Sequence, residues 1–218
     1  MNTTAFAACI DHTLLRPDAL LAEVRQLCEE AANAQFAAVC VPPYFVGNAA
    51  DYLRESAVKV ATVVGFPMGY APIASKVDEI KRLLEEDADE IDAVVNIAAV
   101  KNGNWRYVRN DIESMTVATH IKGKIIKLIF EIGLLNSAEI VQLCEVCNDI
   151  GINYAKTSTG LLGAGATPEV VQFLREHLAP TIQIKASGGI ATRAQAEALL
   201  AAGATRIGSS KSLALLNT

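Results

Sequence analysis

Along the chain, short runs rich in β-branched residues alternate with longer stretches whose apolar positions recur at helical spacing. The runs fall at 7–10, 36–41, 58–64, 90–97, 125–130, 153–156, 181–185 and 205–208. Helical patterns cover 19–32, 73–86, 105–120, 137–150, 168–177 and 193–202. About eight strand–helix units follow one another, and alternation of this kind predicts a parallel sheet. Several runs, such as Val60-Ala-Thr-Val-Val64, are apolar at nearly every position, as expected where helices cover the sheet. Asp18 and Ser137 stand where helix N-caps belong, and Thr167-Pro168 reads as N-cap and first helical position. Ala202-Gly-Ala-Thr205 reads as a helix end leading into the last strand.

No linker or charge block interrupts the series, so residues 1–218 are expected to form one domain. No dinucleotide fingerprint follows the first strand, which favours a (β/α)8 TIM barrel over an open doubly wound sheet. The 218 residues sit at the compact end of the range for such a barrel, and 51% of them are hydrophobic, enough for one sizeable core.

A net charge of -5, spread along the chain, argues against a nucleic-acid partner. No apolar run approaches a membrane span, and the first eleven residues lack the basic and apolar regions of a signal peptide. The odd cysteine set, Cys9, Cys28, Cys40, Cys144 and Cys147, fits reduced thiols in the cytoplasm.

In such a barrel the working residues sit at the C-terminal ends of strands. Polar residues expected there are Asp11-His12-Thr13, Cys40, Gly65-Phe66-Pro67, Asp92, Asn96, Lys127 and Glu131, together with three loops in the second half. Lys156 opens Lys156-Thr-Ser-Thr-Gly160, and Lys185 opens Lys185-Ala-Ser-Gly-Gly189. One strand–helix unit separates these lysines, so they come from neighbouring strands and face one mouth. Two crowded ammonium groups cannot both stay charged cheaply; one pKa falls and a nucleophilic amine appears near neutral pH. Lys127 also looks inward-facing, and Asp11, Asp92 and Glu131 can supply the acidic company these cations need. Asp92 lies in an otherwise apolar strand, where a carboxylate must be paired or protonated. It serves as a structural partner, a proton-transfer group, or both.

Ser187-Gly-Gly-Ile190 and Gly208-Ser-Ser210 precede helical segments after strands seven and eight, where barrels often bind phosphate through backbone amides. Cys144-Glu-Val-Cys147 has a metal-like spacing but no partner pair, and reads as packing within a helix. His120 and His177 fall near helix ends, where they suit the terminal carbonyls. Three readings remain open from the residues alone: a Schiff-base enzyme, a phosphate-binding isomerase or epimerase, and a non-catalytic sugar-phosphate sensor.

The chain resembles the deoxyribose-phosphate aldolases, a class I Schiff-base family, over nearly its whole length. The resemblance rests on Asp11-His-Thr-Leu-Leu15, Val39-Cys-Val-Pro-Pro-Tyr44, Val64-Gly-Phe-Pro-Met-Gly69, Glu90-Ile-Asp-Ala-Val-Val-Asn-Ile97, the two lysine loops and Arg206-Ile-Gly-Ser-Ser210. It implies a TIM barrel that cleaves 2-deoxy-D-ribose 5-phosphate to acetaldehyde and D-glyceraldehyde 3-phosphate. No metal or other cofactor is implied. Lys156 would form the Schiff base, with Lys185 lowering its pKa and, with Asp92, moving protons. Asp11 and Thr13 would lie near the substrate hydroxyls, with Cys40 beside the site. Thr159, Gly160, Gly188, Gly189, Ile190, Gly208, Ser209 and Ser210 would surround the phosphate. Phe66 and Lys127 complete the expected substrate-binding set. The family's members commonly form homodimers or homotetramers in the cytoplasm.

The chain also departs from the family pattern. Ala191 stands where many relatives carry arginine, with Arg193 displaced, and Leu161 stands where some carry lysine. The tail beyond Asn217 lacks a tyrosine that some members place over the site. The fewer side-chain cations at Ala191 and Leu161 predict a weaker preference for phosphorylated substrate.

Overall fold

In the computed structural model, which describes residues 2–216, the chain opens with a helix rather than a strand. Helix α1 (Thr3–Ala7) is capped by Asn2, whose side chain accepts from the Ala5 N–H at 2.8 Å. Strand β1 (Ile10–Thr13) begins only at the last residue of the run expected at 7–10. Phe6, Ala7 and Ile10 are all buried, a spacing that one helical turn satisfies as well as a strand does. Met1, Asn217 and Thr218, at the ends of the expected 1–218 domain, lie outside the described residues.

Helix α2 (Leu21–Ala34) starts later than the pattern predicted, and Asp18 is not its cap. Asp18 pairs with Arg16 at 2.8 Å, and the Glu23 carboxylate takes the exposed Leu20 N–H at 2.8 Å instead. After β2 (Ala38–Val41) comes α3 (Val46–Tyr52), a short helix with too few turns to show a periodicity in the sequence. Then follow β3 (Lys59–Val64), α4 (Ile73–Glu85) and β4 (Glu90–Val94). The fourth strand stops short of the expected 97 because Asn96 caps a further helix, α5 (Ile97–Lys101), by accepting from the Ala99 N–H at 3.0 Å.

Helix α6 (Trp105–His120) and β5 (Ile125–Ile129) lead to α7 (Ser137–Ile150). The cap of α7 is Asn136 rather than Ser137: Asn136 and Glu139 exchange side-chain-to-backbone bonds of 2.9 and 2.8 Å in a capping box. Strand β6 (Tyr154–Lys156) is followed by α8 (Pro168–His177), capped by Thr167 with Pro168 at its first position, as the sequence predicts. The remaining elements are β7 (Gln183–Ser187), α9 (Arg193–Ala201), β8 (Arg206–Ser209) and α10 (Ser212–Leu216).

The eight strands close into a parallel barrel in sequence order, with β1 paired to both β2 and β8. The expected (β/α)8 architecture is therefore the observed one. Period-two alternation divides each strand between the helix layer and the barrel axis. Ile91, Ala93, Ile126, Leu128, Ala155, Ile184, Ala186 and Ile207 are sealed under the helices in one continuous apolar cluster. Each large aliphatic side chain buried this way contributes about 2 kcal/mol. The alternate positions turn inward and differ by side. Ala38, Cys40, Ala61 and Val63 of β2 and β3 form a small apolar cluster of their own, while Glu90, Asp92, Lys127, Lys156, Lys185 and Arg206 of β4–β8 are ionisable. No helix among the described residues is long and apolar enough to cross a membrane.

Candidate active site

Register brings the charged residues together. Asp92 pairs with Lys127 across β4 and β5, Ile129 with Lys156 across β5 and β6, Lys156 with Lys185 across β6 and β7, and Lys185 with Arg206 across β7 and β8. Asp92 is the hub. Its Oδ1 accepts from Lys127 Nζ at 2.6 Å, and its Oδ2 accepts from both Lys156 and Lys185 at 2.7 Å each. Asp11 accepts from Lys185 through Oδ2, and from Arg206 through Oδ1 at 2.6 Å. Glu90 closes the network, 2.6 Å from Lys127 and 3.1 Å from Arg206.

Three carboxylates (Asp11, Glu90, Asp92) thus face four basic groups (Lys127, Lys156, Lys185, Arg206) inside the barrel. The interior is neutral when one basic group gives up a proton, and uncompensated charge in such a place is costly. The group that yields is Lys156. Burial pushes its pKa down and neighbouring Lys185 pushes it further, against the pull of Asp92. Burial also opposes the charged form of Lys185, but Asp11 and Asp92 together hold its pKa above the ordinary lysine value. Asp92 goes the other way: burial favours its neutral form, yet Lys127, Lys156 and Lys185 hold it well below the usual carboxylate range.

Above this network a cavity of about 520 Å³ opens at the C-terminal ends of the strands, with Lys156 on its floor. Ten of the expected site residues line it. Thr13 and Lys156 lie there with Thr159 and Gly160, and the two glycine-containing loops contribute Gly188, Gly189, Ile190, Gly208, Ser209 and Ser210. Gly188 has φ +94°, and a Cβ there would come 2.9 Å from Gly165 Cα. The loops are tied to each other, Ser209 Oγ donating to the Ile190 carbonyl at 2.8 Å.

The other expected residues sit below or beside the cavity. Asp11, Asp92 and Lys185 are fully buried and do not line the cavity. Lys127, expected to bind substrate, is fully buried against Glu90 and Asp92 and does not reach the cavity, because it lies two positions deeper along β5 than Ile129, the partner of Lys156. Cys40 is buried in the apolar β2–β3 wall with Phe66 packed on it, and burial pushes its thiol pKa up. Neither residue lines the cavity.

Glu131 does not accompany the lysines. It sits beyond the end of β5 with φ +56°, so strand alternation no longer directs its side chain, and its carboxylate accepts from the Thr159 N–H at 3.2 Å and from the Thr159 hydroxyl. Cys144 and Cys147 are buried packing residues, and no group of His, Cys, Asp and Glu among the described residues could hold a metal. His177 Nδ1 meets the Phe173 carbonyl at 2.8 Å as expected, whereas His120 contacts the Asn153 side chain rather than a helix carbonyl. Arg193 stacks over the Phe6 ring, 4.5 Å from its centroid, and pairs with Glu197.

Glu90, Arg206, Arg16 and Lys211 were missed at the sequence level. The signal for the first two was parity: Glu90 is two residues from Asp92, and Arg206 two from Gly208, on the same inward faces. Lys211 directly follows Ser210, and Arg16 lies in the loop after β1; both line the cavity.

The sequence profile of the DeoC/LacD family aldolases matches residues 5–215. A deoxyribose-phosphate aldolase from Thermococcus kodakarensis is 44% identical over 218 residues, covering 99% of this chain and 97% of the relative. A solved structure from Coccidioides immitis, assigned as a deoxyribose-phosphate aldolase, superposes with a TM-score of 0.95 at 35% identity, covering 100% of this chain and 86% of its own. The tetrameric deoxyribose phosphate aldolase from Aeropyrum pernix superposes with a TM-score of 0.92 at 29% identity, covering 99% and 91% of the two chains.

Proposed function

The chain belongs to the DeoC/LacD family of aldolases, and from that premise we propose that Lys156 is the Schiff-base residue through which it reversibly cleaves 2-deoxy-D-ribose 5-phosphate. The observation that carries this reading is the sharing of Asp92 Oδ2 by Lys156 and Lys185 at 2.7 Å each. One lysine of the pair is kept neutral and the other charged, within reach of a common proton acceptor.

Neutral Lys156 attacks the C1 aldehyde of the open-chain sugar. Lys185, held protonated by Asp11 and Asp92, delivers a proton to the carbinolamine hydroxyl, which leaves as water. The iminium is an electron sink, so the C2–C3 bond breaks as the C3 hydroxyl loses its proton, and D-glyceraldehyde 3-phosphate departs. The remaining enamine takes a proton at C2. Hydrolysis of the new iminium then releases acetaldehyde and restores the amine. Asp92 accepts and returns protons between the two lysines, and the Gly188–Ile190 and Gly208–Ser210 loops offer the backbone amides for the phosphate.

An isomerase or epimerase would need an acidic or thiol acid–base pair facing its substrate. Among the described residues no carboxylate lines the cavity; Asp11 and Asp92 are sealed beneath the lysines. The direct test is production of D-glyceraldehyde 3-phosphate from 2-deoxy-D-ribose 5-phosphate, followed by a coupled dehydrogenase assay. The parent enzyme produces it and Lys156→Ala does not; equal rates would end the assignment of Lys156. The same proposal includes a cytoplasmic homodimer or homotetramer, supported by five free cysteines and by the tetrameric Aeropyrum pernix relative.

A further inference from the structure

Besides Lys156, two residues with basic side chains line the cavity, Arg16 and Lys211. They are not equivalent. Arg16 is already occupied, its guanidinium 2.8 Å from Asp18 and hydrogen-bonded to Glu23 as well. The Lys211 ammonium has no carboxylate partner among the described residues, and no carboxylate lines the cavity beside it.

The backbone of Lys211 is nevertheless fixed. Its N–H donates to Ser209 Oγ at 3.0 Å, the same hydroxyl donates to the Ile190 carbonyl at 2.8 Å, and Ser212 Oγ donates to the Ser209 carbonyl at 2.8 Å. These bonds set the root of the lysine beside the loops that carry Gly188, Gly189 and Gly208. Positions 161 and 191 bring no charge: Leu161 is apolar and exposed, and Ala191 is a methyl group. A strongly hydrated point charge on a flexible stem, over a floor of backbone amides, suits a compact dianion.

We propose that Lys211 is a specificity-determining residue, the side-chain charge by which this cavity selects a phosphorylated substrate over its neutral analogue. The inference rests on the sugar-phosphate reading of the site and extends it to a residue outside the Lys156, Lys185 and Asp92 core. It also reverses the expectation drawn from Ala191 and Leu161, because the missing charge is supplied from the loop after β8.

The test compares the parent enzyme with K211Q and K211R. The ratio of kcat/KM for 2-deoxy-D-ribose 5-phosphate to that for 2-deoxy-D-ribose should fall about tenfold in K211Q, the worth of one charge-assisted contact, and largely return in K211R. A K211Q ratio within about twofold of the parent overturns the proposal, as does a parent with no preference. Calorimetric titration of inorganic phosphate into the free proteins reads the same contact without catalysis. Binding about tenfold weaker in K211Q supports the proposal even if no sugar is cleaved, in which case the aldolase reading alone falls; equal binding sinks it whatever the activity.

Discussion

Lys156 and Lys185 are direct register partners across β6 and β7, and their Nζ atoms meet the same oxygen, Asp92 Oδ2, at 2.7 Å each. The pair is asymmetric in its other contacts. Lys185 has a second carboxylate in Asp11, whereas Lys156 has none among the described residues and faces the cavity. That difference decides which lysine loses its proton.

This asymmetry sets the pH dependence of activity. With Lys156 held below the ordinary lysine value of 10.5, kcat/KM should rise with pH as its ammonium deprotonates and reach a plateau before free lysine would titrate. K185M removes the adjacent positive charge, so the proton on Lys156 becomes harder to lose and the acid limb moves to higher pH, along with a large fall in rate. A pH–rate profile checks this. An acid limb that stays in place in K185M would show that Lys185 does not tune its neighbour.

Stability should also depend on pH, in the opposite region. Asp11 and Asp92 bind protons less readily in the folded chain than in the unfolded one, so their contribution is complete above the ordinary carboxylate value of 3.8 and is lost as pH falls below it. Lys156, whose folded pKa is depressed, contributes with the opposite chemistry but the same slope: the folded state is relieved of its cost as pH rises toward 10.5. The melting temperature should therefore drop as pH falls from about 4.5 toward 2, less steeply in D92N than in the parent. Thermal melts across that range decide it, and parallel slopes for the two proteins would count against the assignment to Asp92.

Lys127 neither lines the cavity nor has solvent contact, so its work is electrostatic. Its ammonium is 2.6 Å from both Asp92 Oδ1 and Glu90 Oε2. K127M leaves Asp92 Oδ1 buried without that donor and tips the interior toward negative charge. The expected loss is roughly 3 kcal/mol or more of unfolding free energy. The same change makes Lys156 retain its proton to higher pH. Urea denaturation measures the first effect, and a loss below about 1 kcal/mol would place Lys127 among ordinary surface-like ion pairs.

Much of this site is legible in the sequence because a parallel barrel imposes a simple rule: strand ends face one mouth and alternate residues face the axis. Lys156 ends β6 and follows the rule directly, as do the loops at Gly188 and Gly208, while Lys185 and Asp92 face the axis one inward step before the ends of β7 and β4. The rule also applies to Glu90 and Arg206, but they are the first residues of β4 and β8 and are visible only once the register is known. Lys127 obeys the alternation yet lies too deep to line the cavity, since depth along the axis depends on strand stagger rather than on pattern. Glu131 escapes the rule altogether, because its left-handed backbone begins a turn. The first strand is misplaced for a local reason: from Phe6 to Ile10 the apolar spacing fits a helical turn and a strand equally, and only the cap at Asn2 separates them. Lys211 is the clearest gap. One residue past Ser210, it reads in the sequence as an exposed lysine at a helix start, and only the closed barrel brings it to the cavity.

The central claim is that Lys156, not Lys185 or Lys127, carries the covalent intermediate. The most direct measurement is reduction with borohydride in the presence of acetaldehyde, followed by mass mapping of the modified peptide. An N-ethyl group on Lys156 in the parent, and no incorporation in Lys156→Ala, is the result this account predicts. An ethyl group on Lys185 or Lys127, or trapping that persists in Lys156→Ala, contradicts it.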